Sequence, residues 1–161
     1  MKTLILYATK YGSTERMAHR LAEHFNGETE LVNIQTSAIP RLDSFETVVL
    51  GGPIYMGKIQ KPLTNFVTAH LAALESKRLG LFICAAHPDE KERFNELEKA
   101  FPAALSQKAV VKDVLGYAIQ FEKMHFFDKL IMKKIKGDSH STQEFYDQRI
   151  RAFAETLQRQ G

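Results

Sequence analysis

The chain has 161 residues, 44% hydrophobic and 25% charged, the size and balance of one globular domain with a substantial core, and residues 1–161 are expected to form a single unit. Its formal net charge is +3 and its sequence pI is near 8.9; no nucleic-acid motif accompanies that mild basicity, so nucleic acid is not an expected partner. Cys84 is the only cysteine, which excludes an intramolecular disulfide and any multi-cysteine metal site and suits a reducing compartment.

The first predicted element is the apolar run TLILYA at 3–8, a strand. With Met1 and Lys2 ahead of it, the run is too short for a signal-peptide core or a membrane span, and the protein is expected in the cytoplasm. TKYGST at 9–14 follows, and helical spacing then begins at Met17, Leu21 and Phe25. The hydroxyls of Thr9, Ser13 and Thr14 can hydrogen-bond an anion, and Gly12 lets the backbone bend tightly around it. Hydroxyls and consecutive N–H groups at a helix N-terminus suit a monophosphate. The competing reading is that Ser13 or Thr14 merely caps the helix, which accounts for one hydroxyl and leaves Thr9, Tyr11 and Gly12 without a shared reason.

ETELVNI at 28–34 is a more polar strand, expected at an edge, and TVVLGG at 47–52 is a buried one. GPIYMGK at 52–58 has the G-x-x-x-x-G-K spacing of an NTPase phosphate loop. Ile59 stands where Ser or Thr should hold magnesium, however, and Pro53 removes a backbone donor, so triphosphate hydrolysis is excluded. Leu63, Phe66, Val67, His70, Leu71 and Leu74 mark a second helix. LGLFICAA at 79–86 is the next strand and makes Cys84 a buried structural thiol; Phe94, Leu97 and Phe101 mark the helix after it. AVVKDVLGYAI at 109–119 is the fifth strand, and Tyr146, Ile150, Phe153 and Leu157 mark the last helix. Between them lies an insert at 120–141, longer than the usual 2 to 6 residues of such loops. Read as a helix it is basic and amphipathic, with Met124, Phe127, Ile131 and Ile135 opposite Lys129, Lys133 and Lys136. It reads as a lid, as a contact with an anionic membrane surface through 122–138, or as a packed structural helix.

Strand alternating with helix five times predicts a doubly wound α/β domain. The polar second strand favours the order 2-1-3-4-5, whose switch point places a ligand at the loops after residues 8 and 52. No cluster of cysteine, histidine or carboxylate suggests a metal, and no catalytic residue is assigned.

YATKYGSTERMA, GGPIYMGK and AAHPDE, following the first, third and fourth predicted strands, resemble the flavodoxin superfamily over nearly the whole chain. That resemblance implies a flavodoxin-like fold and FMN as cofactor. Thr9, Lys10, Tyr11, Gly12, Ser13 and Thr14 would hold its phosphate. Pro53, Ile54, Tyr55, Met56 and Gly57 would line the flavin ring, with Ala86, His87 and Pro88 on its other side. Tyr55 offers a stacking surface, Met56 a soft apolar contact and the Gly57 N–H a donor near flavin N5; His87 reads equally as a donor or as a solvent-facing residue. The run FEKMHFFDKLIMKKIKG resembles the menaquinone-dependent protoporphyrinogen IX dehydrogenase branch. It implies a haem-biosynthesis oxidoreductase that carries electrons from a porphyrinogen through FMN to a quinone or small-molecule acceptor, placed in the cytoplasm or at the inner face of the membrane. Two alternatives stand beside it: a flavodoxin-type electron carrier serving protein partners, and a flavin-bound regulatory module without turnover. Carriers are expected to be acidic, and this chain is basic.

Overall fold

The computed structural model describes residues 1–119 and 142–159, and the predicted insert at 120–141 lies outside the described residues. Parallel strands β1 (Lys2–Tyr7), β2 (Glu28–Asn33), β3 (Thr47–Tyr55), β5 (Arg78–Cys84) and β6 (Val111–Ile119) form the body of one sheet. Their spatial order β2-β1-β3-β5-β6 is the predicted 2-1-3-4-5. Register is continuous through the middle: Leu4 pairs with Val48, Val48 with Leu79, and Gly80 with Val111.

Two strands depart from the five-stranded, all-parallel expectation. β7 (Thr142–Phe145) adds antiparallel to the outer edge of β6, and β4 (Lys58–Ile59) folds back on the end of β3. Neither carries a pattern that could announce it: β4 has two residues, and TQEF is short and mostly polar.

Helices α1 (Ser13–Ala22) and α6 (Asp147–Gln158) cover one face of the sheet. The other is covered by α2 (Lys61–Ala69), α3 (Leu71–Glu75), α4 (Glu90–Ala100) and α5 (Ala103–Lys108). The period-2 alternation of β1 divides the core accordingly. Leu4 and Leu6 join Leu50, Leu63, Leu81 and Leu97 on one side, while Ile5 and Tyr7 join Met17, Leu21, Phe82 and Phe153 on the other. Two predicted stripe residues fall outside the core: His70 is exposed where the second helix breaks into α2 and α3, and Phe94 is partly exposed beneath the Arg149 guanidinium. At the outer edges, β2 turns Glu28 and Glu30 to solvent, and β7 does the same with Gln143 and Glu144. Arg78, at the start of β5, donates to the carbonyls of Thr156, Leu157 and Arg159, so a cation closes the C-terminal end of α6.

Candidate functional site

Parallel strands deliver the loops after β1, β3 and β5 to one end of the sheet, in that lateral order. In the first, Ala8 N–H donates to Gly51 O at 3.0 Å, tying the loop to β3, and Thr9 N–H donates to Gln35 Oε1 at 2.8 Å. Thr9 Oγ1 accepts from Gly12 N–H at 3.0 Å, and Gly12 takes a φ of 89°, a left-handed conformation that favours glycine. Gly12 is the N-cap residue of α1 and no side chain caps the helix. Ser13 and Thr14 are therefore its first two helical residues, and the reading of either as the cap is excluded.

What this leaves is a helix N-terminus open to an anion. Thr14 is fully buried, and its Oγ1 has no hydrogen-bond partner. It faces the Cys84 thiol, whose pKa burial pushes up to about 12 and a side-chain hydrogen bond with Thr14 lowers in part; that pair falls outside ordinary hydrogen-bond geometry, so the thiol is a weak partner that leaves the Thr14 oxygen available to a stronger one. The thiol is thus protonated at neutral pH and is no nucleophile. Ser13 is nearly as buried as Thr14. Glu15, the acidic residue in the first turn, accepts from Tyr7 OH at 3.0 Å. Burial first, then that bond to Glu15, pushes the Tyr7 hydroxyl up to about 12. A phosphate placed here would meet unpaired N–H groups and a buried hydroxyl lacking a partner, so the residues present fit the group.

The second loop is a hairpin. Ile54 pairs with Ile59 and Tyr55 with Lys58, and the two-residue turn between them has Met56 at φ 55° and Gly57 at φ 76°. Two consecutive positive φ values make a type I′ turn, the one whose twist matches paired strands. GPIYMGK is thereby a strand, a turn and a strand start, and Ile54 and Tyr55 belong to strand pairing in place of a phosphate cradle. Pro53, Ile54 and Tyr55 are half-buried, whereas Met56 is exposed at the tip. Lys10 Nζ stands 3.1 Å from the Tyr55 ring centroid, so one face of that ring already carries a cation, and Lys10 lies 5.5 Å from the Tyr11 ring.

In the third loop, Ala86 and His87 are half-buried and Pro88 is exposed. Asp89 N–H donates to His87 Nδ1 at 3.0 Å, which makes Nδ1 an acceptor and leaves the proton of the neutral ring on Nε2. Asp89 caps α4 through Lys91 N–H at 2.9 Å. From inside α4, Arg93 Nη1 donates to His87 O at 2.6 Å and Pro88 O at 3.1 Å, clamping the loop from behind.

Four residues that sequence reasoning did not single out shape this end of the molecule. Gln35 takes the Thr9 N–H and gives its own amide to Gln60 Oε1 at 2.7 Å. Lys58 and Lys61 flank the hairpin and, with Lys10 and Tyr55, line a cavity of about 540 Å³. Gln35 stands two residues past the end of the edge strand beside the switch point, and that position was the available signal for it.

The family model described as "Flavodoxin domain" matches residues 4–145. The chain is 24% identical over 155 residues to the protoporphyrinogen IX dehydrogenase [quinone] of Escherichia coli (strain K12), covering 89% of this chain and 86% of that protein. In structure it resembles a flavodoxin from the domain Archaea, with a TM-score of 0.58 at 14% identity over 99% of this chain and all of that one. A short-chain flavodoxin associated with a non-canonical PDU bacterial microcompartment gives a TM-score of 0.62 at 16% identity, covering 98% of this chain and 96% of that one. With the family match running from β1 to β7, the chain belongs to the flavodoxin domain family, and FMN is its cofactor.

Proposed function

We propose that this protein is an FMN-dependent oxidoreductase that accepts two electrons and two protons from an organic donor of the porphyrinogen type and delivers them to a quinone, residues 1–161 acting as one FMN-binding domain. The observation that carries the cofactor's seat is the uncapped N-terminus of α1 over the buried, partnerless Thr14 hydroxyl. In this reading Thr9, Lys10, Tyr11, Gly12, Ser13 and Thr14 hold the phosphate. Pro53, Ile54, Tyr55, Met56 and Gly57 border the ring on one side, and Ala86, His87 and Pro88 on the other. Tyr55 presents to the ring the face that Lys10 leaves open, and the His87 Nε2–H is a hydrogen-bond donor held in its tautomer by Asp89. Arg93 fixes the loop that carries that donor. Bound FMN supplies the redox chemistry, taking up a pair of electrons and giving them out again.

The donor and the acceptor rest on likeness, over most of both chains, to a protein named as a protoporphyrinogen IX dehydrogenase [quinone]. Quinones reside in membranes, so a peripheral membrane seat belongs to the proposal, and the basic sequence at 122–138 supports it. Among the described residues no helix is long and apolar enough to cross a membrane.

The test is stopped-flow reoxidation of the photoreduced, FMN-loaded protein under anaerobic conditions. A menaquinone analogue is expected to restore the oxidised flavin spectrum faster than a protein acceptor such as cytochrome c, and protoporphyrinogen IX to bleach it. Reoxidation by the protein acceptor alone would make the chain an electron carrier instead.

A further inference from the structure

Two arginines stand one turn apart on α1, and both reach across to the segment that begins at β7. Arg20 is neutralised there: its Nη1 meets Asp147 Oδ1 at 2.9 Å, and its guanidinium carbon lies 4.6 Å from the centre of the Phe145 ring. Arg16 is held differently. Its Nε and Nη2 both donate to one oxygen, Gln143 Oε1, at 2.9 and 2.6 Å, and among the described residues no carboxylate pairs with it. A neutral amide thus orients this guanidinium and leaves its charge whole. The remaining nitrogen, Nη1, makes no hydrogen bond among the described residues and lies back along the helix, 3.4 Å from where a Cβ on Gly12 would stand. Gly12 is the cap residue of α1.

A cation so near a helix N-terminus opposes the positive end of the dipole, and here no side chain caps the first N–H groups. Glu15 does not relieve it, because that carboxylate accepts from Tyr7 OH at 3.0 Å. The same turn buries the Thr14 hydroxyl without a partner of ordinary geometry. An anion would settle all three at once, whereas a purely structural arginine has what Arg20 has, a carboxylate to meet.

We infer that Arg16 is a further phosphate-binding residue, its Nη1 meeting the cofactor's phosphate at the N-terminus of α1, and that Gln143 on β7 is the positioning residue that aims it. The inference rests on the phosphate seat of the proposed function and adds to it a full positive charge and a second element of the fold. Arg16 then sharpens selection of phosphorylated over unphosphorylated flavin, since a flavin without phosphate gains nothing from the guanidinium.

The experiment titrates FMN and riboflavin into the flavin-free, full-length protein, following quenching of flavin fluorescence. The two probes share a ring system, and only FMN has a phosphate. Wild type is expected to favour FMN. Arg16→Gln should weaken FMN binding about tenfold and riboflavin binding by less than about twofold. Added salt should weaken FMN binding less steeply in that variant than in wild type. Gln143→Leu should cost about threefold for FMN alone, and nothing more when added to Arg16→Gln. Arg20→Gln removes the same charge one turn further along and should stay within about twofold of wild type. Unchanged FMN affinity in Arg16→Gln, an equal loss for riboflavin, an equal loss in Arg20→Gln, or full additivity of the Arg16 and Gln143 changes would each overturn the assignment. The outcomes separate it from the seat on which it rests. Lost FMN affinity in Thr14→Val beside an unaffected Arg16→Gln keeps the seat and removes Arg16 from it, whereas a wild type that binds both flavins equally sinks the seat and the inference together.

Discussion

Thr14→Val should move the stability of the apoprotein and its affinity for FMN in opposite directions. The substitution keeps the branched shape and removes one oxygen, and that oxygen is buried without a hydrogen-bond partner. Burying an unsatisfied hydroxyl costs about 1–3 kcal/mol, and a methyl group in its place recovers part of that cost. In a chain of this length each kcal/mol moves the unfolding midpoint by about 2–4 °C, so apo Thr14→Val should melt several degrees above wild-type apoprotein. With FMN the sign reverses. A hydrogen bond to a charged group is worth about 1.5–3 kcal/mol, so losing one to the phosphate should weaken binding by roughly 10- to 100-fold. The holoprotein would also gain less stability from saturating FMN than wild type does. Thermal unfolding by circular dichroism, with and without FMN, and titration by quenching of flavin fluorescence read both effects. A Thr14→Val apoprotein less stable than wild type, or with unchanged FMN affinity, would show that the hydroxyl serves the fold and that the phosphate seat is misassigned.

Alkaline stability should fall earlier than carboxylate chemistry alone predicts. The Cys84 thiol is raised from 9.0 and the Tyr7 hydroxyl from 10.0, both to about 12, so the folded state holds their protons longer than the unfolded chain does. Their contribution is complete below pH 9 and is lost as pH rises toward 12, with a slope of up to about 1.4 kcal/mol per pH unit for each group. Denaturant unfolding at intervals from pH 8 to 11 should show the decline, and Cys84→Ala should remove the part that begins near pH 9. At the hairpin tip, Met56 occupies a left-handed conformation at φ 55° that asparagine tolerates better, so Met56→Asn should raise stability by about 0.5–1 kcal/mol in chemical denaturation. No gain would mean that the turn relaxes in solution.

What could be foreseen from the chain alone follows from how strongly each feature is written in residue type. Strands buried on both faces are continuous apolar runs, so TLILYA, TVVLGG and LGLFICAA announced themselves, and the polarity of ETELVNI placed β2 at an edge. The I′ turn stayed hidden because its first position is Met56, where asparagine or aspartate is the usual signal. At the loop proposed to hold the phosphate, the hydroxyl donors of TKYGST were legible, but whether Ser13 or Thr14 caps the helix was not. It depends on Gly12 taking the cap position and moving Ser13 and Thr14 one step into the helix, which is backbone geometry and leaves no trace in composition. Lys58 and Lys61 were passed over for a related reason, since strand pairing across the hairpin sets Lys58 opposite Tyr55 and the start of α2 brings Lys61 to the same cavity as Lys10.

The two flanks of the sheet bear on how molecules of this protein meet one another. A sheet with bare edges offers its backbone as a template for further strands. Here β2 carries Glu28 and Glu30 to its rim, with Glu28 held by Lys2 at 3.4 Å. At the opposite rim the terminal strand is the four-residue β7, where Arg16 grips Gln143 through two bonds of 2.9 and 2.6 Å beside exposed Glu144. An extended segment of a second molecule approaching either rim would have to strip water from glutamate side chains before reaching a backbone partner, and among the described residues the β7 rim offers it four residues to add to. Side chains at its described margins thus guard the sheet against open-ended growth, and the loop end proposed for the cofactor is left to recognise other molecules.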